Sequence, residues 1–186
     1  MGRPSPETVV KGKVKTENLS CIKKVIVLKG CRDDGKTTTL KEVARQLYQK
    51  FQNCWHARRR FEPGKFDISA VTEEKRSGDR LAVFKINGII VVLYTGGDNP
   101  GVISGTFATA IRYRAEVVIT ALKVSAAGSE KTPAQIAYEF IEQRSSFEST
   151  CIDICGRRLR SVEEESKCAQ QIVEIVQSYV SPKKDK

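Results

Sequence analysis

Apolar residues in this chain follow two different periods, and the alternation of these periods predicts the fold class. Short apolar runs of the kind found in buried strands span residues 25–28, 81–86, 89–94 and 117–122, and the segment 151–155 predicts a last strand. Apolar residues at helical spacing cover 40–51, 102–114, 132–144 and 169–180. We therefore expect a three-layer α/β domain, with helices on both faces of a mostly parallel sheet of five or six strands.

Turn and capping residues refine this prediction. Only Asn87 and Gly88 separate residues 81–86 from residues 89–94. A two-residue hairpin turn needs positive φ at both positions, and Asn and Gly tolerate it, so the sequence predicts one antiparallel hairpin. Asp98 or Asn99 can cap the helix over 102–114. Two capping boxes begin the last two helices, at Thr132 with Gln135 and at Ser161 with Glu164. The residues of the helix over 132–144 that we expect to face the sheet are Ile136, Ala137, Phe140 and Ile141.

The two ends of the chain lack the periodic patterns of the middle. Residues 1–20 contain Pro4, Pro6 and a basic segment, and are expected to form a flexible tail, while 183–186 are expected to be a frayed C-terminus. One domain over 21–182 remains. No secretory signal is visible, and the longest apolar run, 89–94, is too short to cross a bilayer. We therefore predict a cytoplasmic protein without a membrane partner.

The positive charge of the chain is concentrated in its first third. The net charge is +10, and the first 60 residues, with 15 basic and 5 acidic residues, account for all of it. Arg58, Arg59 and Arg60 follow Trp55 and His56, and such a mixture of cations and aromatic rings suits the phosphates and bases of nucleic acids. A nucleic-acid contact and a solvated basic loop both stay open for this cluster.

The six cysteines are expected to be reduced thiols. None belongs to a CxxC pair, and Cys151 and Cys155 would share a face of the predicted last strand. With His56 as the only histidine, a zinc site would lack ligands. Reduced thiols agree with a cytoplasmic setting.

Residues 30–38, called the glycine loop below, carry the clearest chemical motif. Gly30, Gly35, Lys36 and Thr37 fit the pattern GxxxxGK[ST] between a predicted strand and a predicted helix. The glycines let main-chain N–H groups converge on an anion at the positive end of the helix. Lys36 can then reach the β- and γ-phosphates of a nucleotide, and the Thr37 hydroxyl can complete the coordination of Mg²⁺.

This motif resembles the Walker A loop of the P-loop NTPases, and all its positions match. The resemblance implies a three-layer P-loop NTPase sandwich that binds a nucleotide at the carboxyl edge of its sheet. Asp33 and Asp34 depart from the pattern, because their charges must point away from the phosphates. The nucleotide-binding residues that we predict are Gly30, Cys31, Arg32, Asp33, Asp34, Gly35, Lys36, Thr37, Thr38 and Gly97.

A second motif, TGGD at 95–98, follows the predicted hairpin and resembles in part the DxxG turn of Ras-like GTPases. On that resemblance Gly97 would donate its N–H to a γ-phosphate, and Asp98 would position the attacking water or the water around the metal. A turn that only leads into a helix is the alternative. The guanine-reading NKxD motif is absent from the sequence, so ATP is the expected nucleotide. Residues 23–141 also resemble small uncharacterised bacterial ATP-binding proteins.

Three functions stay open at this point. The first is a Mg²⁺-dependent ATP-binding protein and slow ATPase, with Lys36 and Asp98 as catalytic residues and Thr37 as the metal ligand. The second is a small-molecule or nucleotide kinase, in which residues 53–80 and Arg112 or Arg114 grip an acceptor, although these arginines also suit a helix C-terminus without catalysis. The third is an ATP-regulated module that binds nucleic acid or protein through the basic first third.

Overall fold

A computed structural model describes residues 16–52, 54–59, 79–156 and 161–181 of the chain. A 3₁₀ helix over Thr16–Cys21 precedes the first strand. The strands are β1 (Lys24–Gly30), β2 (Cys54–Arg59), β3 (Arg80–Ile86), β4 (Ile89–Tyr94), β5 (Val117–Lys123) and β6 (Glu148–Asp153). The helices are α1 (Lys36–Phe51), α2 (Pro100–Tyr113), α3 (Pro133–Glu142) and α4 (Val162–Val180).

The strands form one six-stranded sheet in the order β2-β3-β4-β5-β1-β6. β5 pairs in parallel with β4 and β1, and β1 pairs in parallel with β6. β3 runs antiparallel to both β2 and β4. The predicted mostly parallel sheet is confirmed, but β2 adds a second antiparallel pair. The sequence of β2 gave no strand signal, because its polar residues lack apolar alternation and only the pairing with β3 makes it a strand.

The predicted hairpin is confirmed with its expected turn. Ile86 pairs with Ile89, so Asn87 and Gly88 alone make the connection, with φ of 50° and 85°. Both values lie in the left-handed region that a type I′ turn requires.

Two apolar clusters, one on each face of the sheet, make the fold a three-layer α/β arrangement. On one face α1 and α4 pack on the sheet through fully buried residues such as Leu40, Leu47 and Ile172. On the other face α2, α3 and the 3₁₀ helix contribute residues such as Phe107 and Ile141. Each such aliphatic or aromatic side chain stabilises the fold by roughly 1.5–3 kcal/mol on burial. Among the described helices, none is both long and apolar enough to cross a membrane.

The buried face of α3 differs from the prediction. Ile136 is 38% exposed, whereas Tyr138 is 1% exposed and its hydroxyl lies 2.7 Å from Ser149 Oγ. Burial raises the pKa of the Tyr138 phenol. Tyr138 joins Ala134, Ala137 and Ile141 in a stripe at helical spacing, because a tyrosine can be buried where its hydroxyl has a partner. The capping box at Thr132 is present as predicted.

The predicted tail extends too far into the folded part of the chain. Leu19 lies in the 3₁₀ helix, is 2% exposed and belongs to the cluster beneath α2 and α3. A single leucine among polar residues gives no periodic pattern, so the sequence did not predict its burial. Its contacts with the apolar cluster order this segment. Residues 1–15 of the predicted tail, the segment 60–78 and the C-terminus after residue 181 lie outside the described residues.

Candidate functional site

The glycine loop connects β1 to α1 and leaves the N-terminus of α1 open. Gly35, with φ 83°, is the N-cap residue, and no described side chain caps the helix. The first main-chain bond of α1 runs from Thr39 N to Gly35 O at 2.9 Å. The N–H groups of the residues before Thr39 in the first turn therefore lack helical acceptors, and they carry the positive end of the helix dipole.

A cavity of about 570 Å³ opens beside this helix terminus. The residues that line it are Arg32, Asp33, Asp34, Gly35, Lys36, Thr37, Thr38, Asp98 and Lys123. The fold thus brings Asp98 together with most of the glycine loop. Three other predicted site residues, Gly30, Cys31 and Gly97, do not line the cavity. Its volume falls in the range of roughly 300–1,000 Å³ that is usual for small-molecule sites.

Lys36 is the most unusual side chain on the cavity wall. It is 8% exposed, and its Nζ donates to the main-chain oxygen of Cys31 at 2.5 Å. Burial lowers the pKa of Lys36, and among its charged neighbours Asp98 acts most strongly to raise it. A lysine ammonium has three N–H donors, and within the described part of the chain Cys31 accepts only one. Lys36 is therefore a poorly hydrated cation with donors left for a ligand.

The two aspartates of the glycine loop have different environments. Asp34 is 2% exposed, and its Oδ2 accepts hydrogen bonds from Cys31 N at 2.7 Å and from Gly156 N at 3.1 Å. Asp33, with φ 63°, is exposed beside Arg32, with 3.6 Å between Arg32 Nε and Asp33 Oδ2. Asp34 therefore fixes the loop against the segment after β6, whereas the exposed pair contributes little to stability.

A disulfide joins Cys31 of the glycine loop to Cys155, with 5.0 Å between the Cα atoms. The prediction of reduced thiols is wrong for these two residues, whereas Cys21, Cys151 and Cys168 form no disulfide with another cysteine that the structure describes. The strand predicted over 151–155 is also too long at its C-terminal end, since β6 ends at Asp153. β1 and β6 are parallel neighbours, so the residues that follow both strands meet at one edge of the sheet.

The TGGD turn approaches the backbone of β5 closely. Gly97 is buried, and a Cβ atom there would lie 2.0 Å from Ala121 O. Gly97 O accepts a hydrogen bond from Lys123 N at 2.9 Å. The glycine is thus needed for packing, whereas its predicted contact with a γ-phosphate gains no support from this position. Asp98, the next residue, is exposed and lies on the cavity wall.

Lys123 is the site residue that the sequence analysis missed. It ends β5, directly opposite Gly30 in the pairing of β1 with β5. Because β5 lies between β1 and β4, Lys123 stands between the glycine loop and the turn that carries Asp98. A lysine at the carboxyl end of an apolar strand was a usable signal, since such ends meet at one edge of a parallel sheet. The strand order that makes it central was not visible.

The predicted arginines of α2 do not reach the cavity. α2 begins beside Asp98 and ends at Tyr113, and Glu116 N donates to Ile90 O near the start of β4. Arg112 and Arg114 therefore lie toward the amino end of β5, and a helix of this length is about 21 Å long. Both are exposed. They cannot grip an acceptor at the glycine loop in this arrangement.

The basic cluster lies at the far side of the sheet. Arg58 and Arg59 belong to the edge strand β2, and β3, β4 and β5 lie between β2 and β1. At the usual strand spacing this places the cluster about 19 Å from β1. Arg60 lies outside the described residues. A nucleic-acid contact here stays a prediction, and it would be separate from the cavity.

Comparison of the chain with models of protein families, with curated protein sequences and with solved structures gives no match.

Proposed function

We propose that the protein binds a Mg²⁺–nucleoside triphosphate in the cavity beside the glycine loop and hydrolyses it slowly, with ATP as the expected nucleotide. One observation carries the proposal: a buried lysine and an uncapped helix N-terminus lie on the wall of the same cavity. Both supply positive charge and N–H donors, and neither has all its donors satisfied by the described part of the chain. A polyphosphate is the ligand class that uses both.

Phosphate binding would begin with the glycine loop. The free N–H groups at the start of α1 would donate to phosphate oxygens, and Lys36 would add a charge-assisted hydrogen bond. The hydrogen bonds to Asp34 and the disulfide at Cys31 hold the loop before any ligand arrives. Donors that are fixed in advance stabilise developing charge without the cost of rearrangement. This supports assignment of the loop to the P-loop class.

The cavity also carries oxygen ligands suited to Mg²⁺. The Thr37 hydroxyl and the Asp98 carboxylate both lie on its wall. The hydroxyl would be a direct ligand of Mg²⁺, which otherwise keeps water and phosphate oxygens, and the carboxylate would face the water around the metal. Mg²⁺ would hold the phosphate oxygens and neutralise part of their charge. Asp98 would accept a hydrogen bond from the attacking water and so orient this water toward the γ-phosphoryl group.

The expected turnover is slow for a structural reason. Arg32 is the only arginine among the described residues on the cavity wall, and it is exposed beside Asp33. An arginine that neutralises transition-state charge raises the rate of such reactions by roughly 10³–10⁵-fold. With Lys36 as the main cation, we expect hydrolysis near the intrinsic rate of an unassisted site.

Calorimetry with ATP, GTP and deoxynucleoside triphosphates, with and without Mg²⁺, tests the proposal. Lys36→Met should weaken triphosphate binding by about 100-fold, on the order of a lost charge-assisted bond in a dry site. Lys85→Met is the matched control, because Lys85 is exposed near the hairpin turn at the opposite edge of the sheet. If the wild-type protein gives no heat with any triphosphate, the proposal is wrong.

Product analysis then distinguishes hydrolysis from phosphotransfer. Asp98→Asn should lower phosphate release more than it lowers nucleotide affinity. Normal release by this variant would remove Asp98 from the mechanism. If γ-phosphate instead appears on a member of a nucleoside and nucleotide panel, with little hydrolysis when no acceptor is present, the kinase alternative is correct and hydrolysis is not the function.

A further inference from the structure

The backbone of Lys123 is held from three directions. Its N–H donates to Gly97 O at 2.9 Å, and its carbonyl oxygen accepts from Thr132 Oγ1 at 2.7 Å. The N–H of the next residue, Val124, donates to Gly30 O at 3.1 Å. Thr132 also caps α3, so the start of that helix fixes Lys123 as well. The glycine loop, the TGGD turn and α3 together fix the backbone position from which the Lys123 side chain extends.

The side chain of Lys123 lies on the same cavity wall as Lys36. Lys36 begins α1 and Lys123 ends β5, so two ammonium groups from different elements share this wall. Lys123 forms no ion pair with an acidic residue within the described part of the chain. The exposed lysines Lys131 and Lys167 both do so, with Glu139 and Glu163. Asp98 lies on the same wall, but as an acceptor it cannot use all the N–H donors of the two lysines, whereas a chain of phosphates offers many acceptor oxygens.

We propose that Lys123 is a second phosphate-binding cation. It contacts the distal phosphates of the ligand, while Lys36 and the start of α1 hold the other phosphates. This inference rests on the proposed function and adds to it that the cavity selects ligands by the length of their phosphate chain. A monophosphate can satisfy one lysine, but a chain of phosphates can contact both. The cavity should therefore favour longer phosphate chains, whatever base or sugar is attached.

The position of Lys123 supports a role in binding over a role in solubility. A solubilising lysine extends into water, as Lys85 does on β3. Lys123 is half-buried, and its Cα is the partner of Gly30 at the entrance to the glycine loop. One strand spacing, about 4.8 Å, separates such partners. Phosphate oxygens held by the loop would lie within reach of a side chain as long as lysine.

Inorganic phosphate, pyrophosphate and tripolyphosphate, each with Mg²⁺, are the probes, and calorimetry on the full chain measures their affinities. The wild-type protein should bind tripolyphosphate most tightly and phosphate least tightly. Lys123→Met should weaken tripolyphosphate binding by about tenfold or more, the usual effect of losing one charge-assisted contact. The same change should alter phosphate binding much less. Lys123→Arg should retain most of the affinity, and Lys85→Met should match the wild type.

The outcomes separate this inference from the proposed function. If Lys123→Met binds tripolyphosphate like the wild type while Lys36→Met does not, the inference is wrong and the proposed function stands. An equal loss for all three probes would contradict a contact with the distal phosphates. If the wild-type protein binds neither tripolyphosphate nor any nucleoside triphosphate, both ideas fail. Circular dichroism of each variant shows whether it is folded. If Lys123→Met is not folded, Lys123→Gln, which also removes the charge, provides the same test.

Discussion

Gly97→Ala should destabilise the protein by about 3 kcal/mol, because the turn carrying Gly97 touches the backbone of β5. The added Cβ would lie 2.0 Å from Ala121 O, whereas ordinary contacts begin near 3.4 Å. The turn and β5 would have to separate by about 1.4 Å to restore an ordinary contact. Inserting one extra carbon into a well-packed region costs roughly 1–3 kcal/mol. That movement also stretches the hydrogen bond from Lys123 N to Gly97 O, which is worth about 1 kcal/mol.

Urea denaturation followed by circular dichroism measures this effect, with Gly105→Ala as the control. Gly105 lies inside α2, where a Cβ would meet nothing within 4 Å. Alanine there should stabilise the protein by about 0.5–1 kcal/mol, because glycine is a poor helix former. The two substitutions are chemically identical and should have opposite signs. A Gly97→Ala protein within 0.5 kcal/mol of the wild type would refute the close approach of the turn to β5.

Three further predictions use the same denaturation assay. Cys155→Ser should lower the free energy of unfolding by up to about 5 kcal/mol, because the disulfide closes a loop with a sequence separation of 124. Cys151→Ser should match the wild type, and a reductant should remove the difference between the two variants. Burial lowers the pKa of Lys36 below 10.5, so the unfolded chain binds more protons and wild-type stability should rise with pH from that lowered value to 10.5. Lys36→Met should lack this rise, and an equal rise in both proteins would contradict it. Asn99→Ala should cost about 1 kcal/mol, because Asn99 Oδ1 caps α2 at Val102 N, while Asn99→Asp should retain the stability.

Much of the fold could be predicted because its signals act between residues close in sequence. Asn87 and Gly88 require a tight hairpin, and the capping boxes at Thr132 and Ser161 begin helices where the sequence indicated. The alternation of apolar runs and helical stripes was sufficient for the α/β class. β2 and the 3₁₀ helix were missed, because their order comes from contacts with β3 and α2 and not from a local pattern.

The candidate site divides in the same way. The sequence by itself determined the glycine loop, with its left-handed glycine and its lysine at the start of α1, because eight consecutive positions contain all the chemistry of that motif. Only the tertiary structure decided that Lys123 would stand beside Gly30, that Cys31 would pair with Cys155, and that Arg112 would lie at the other edge of the sheet. Strand order and helix direction follow from packing between distant segments, and no local pattern encodes which strand will be the neighbour of which.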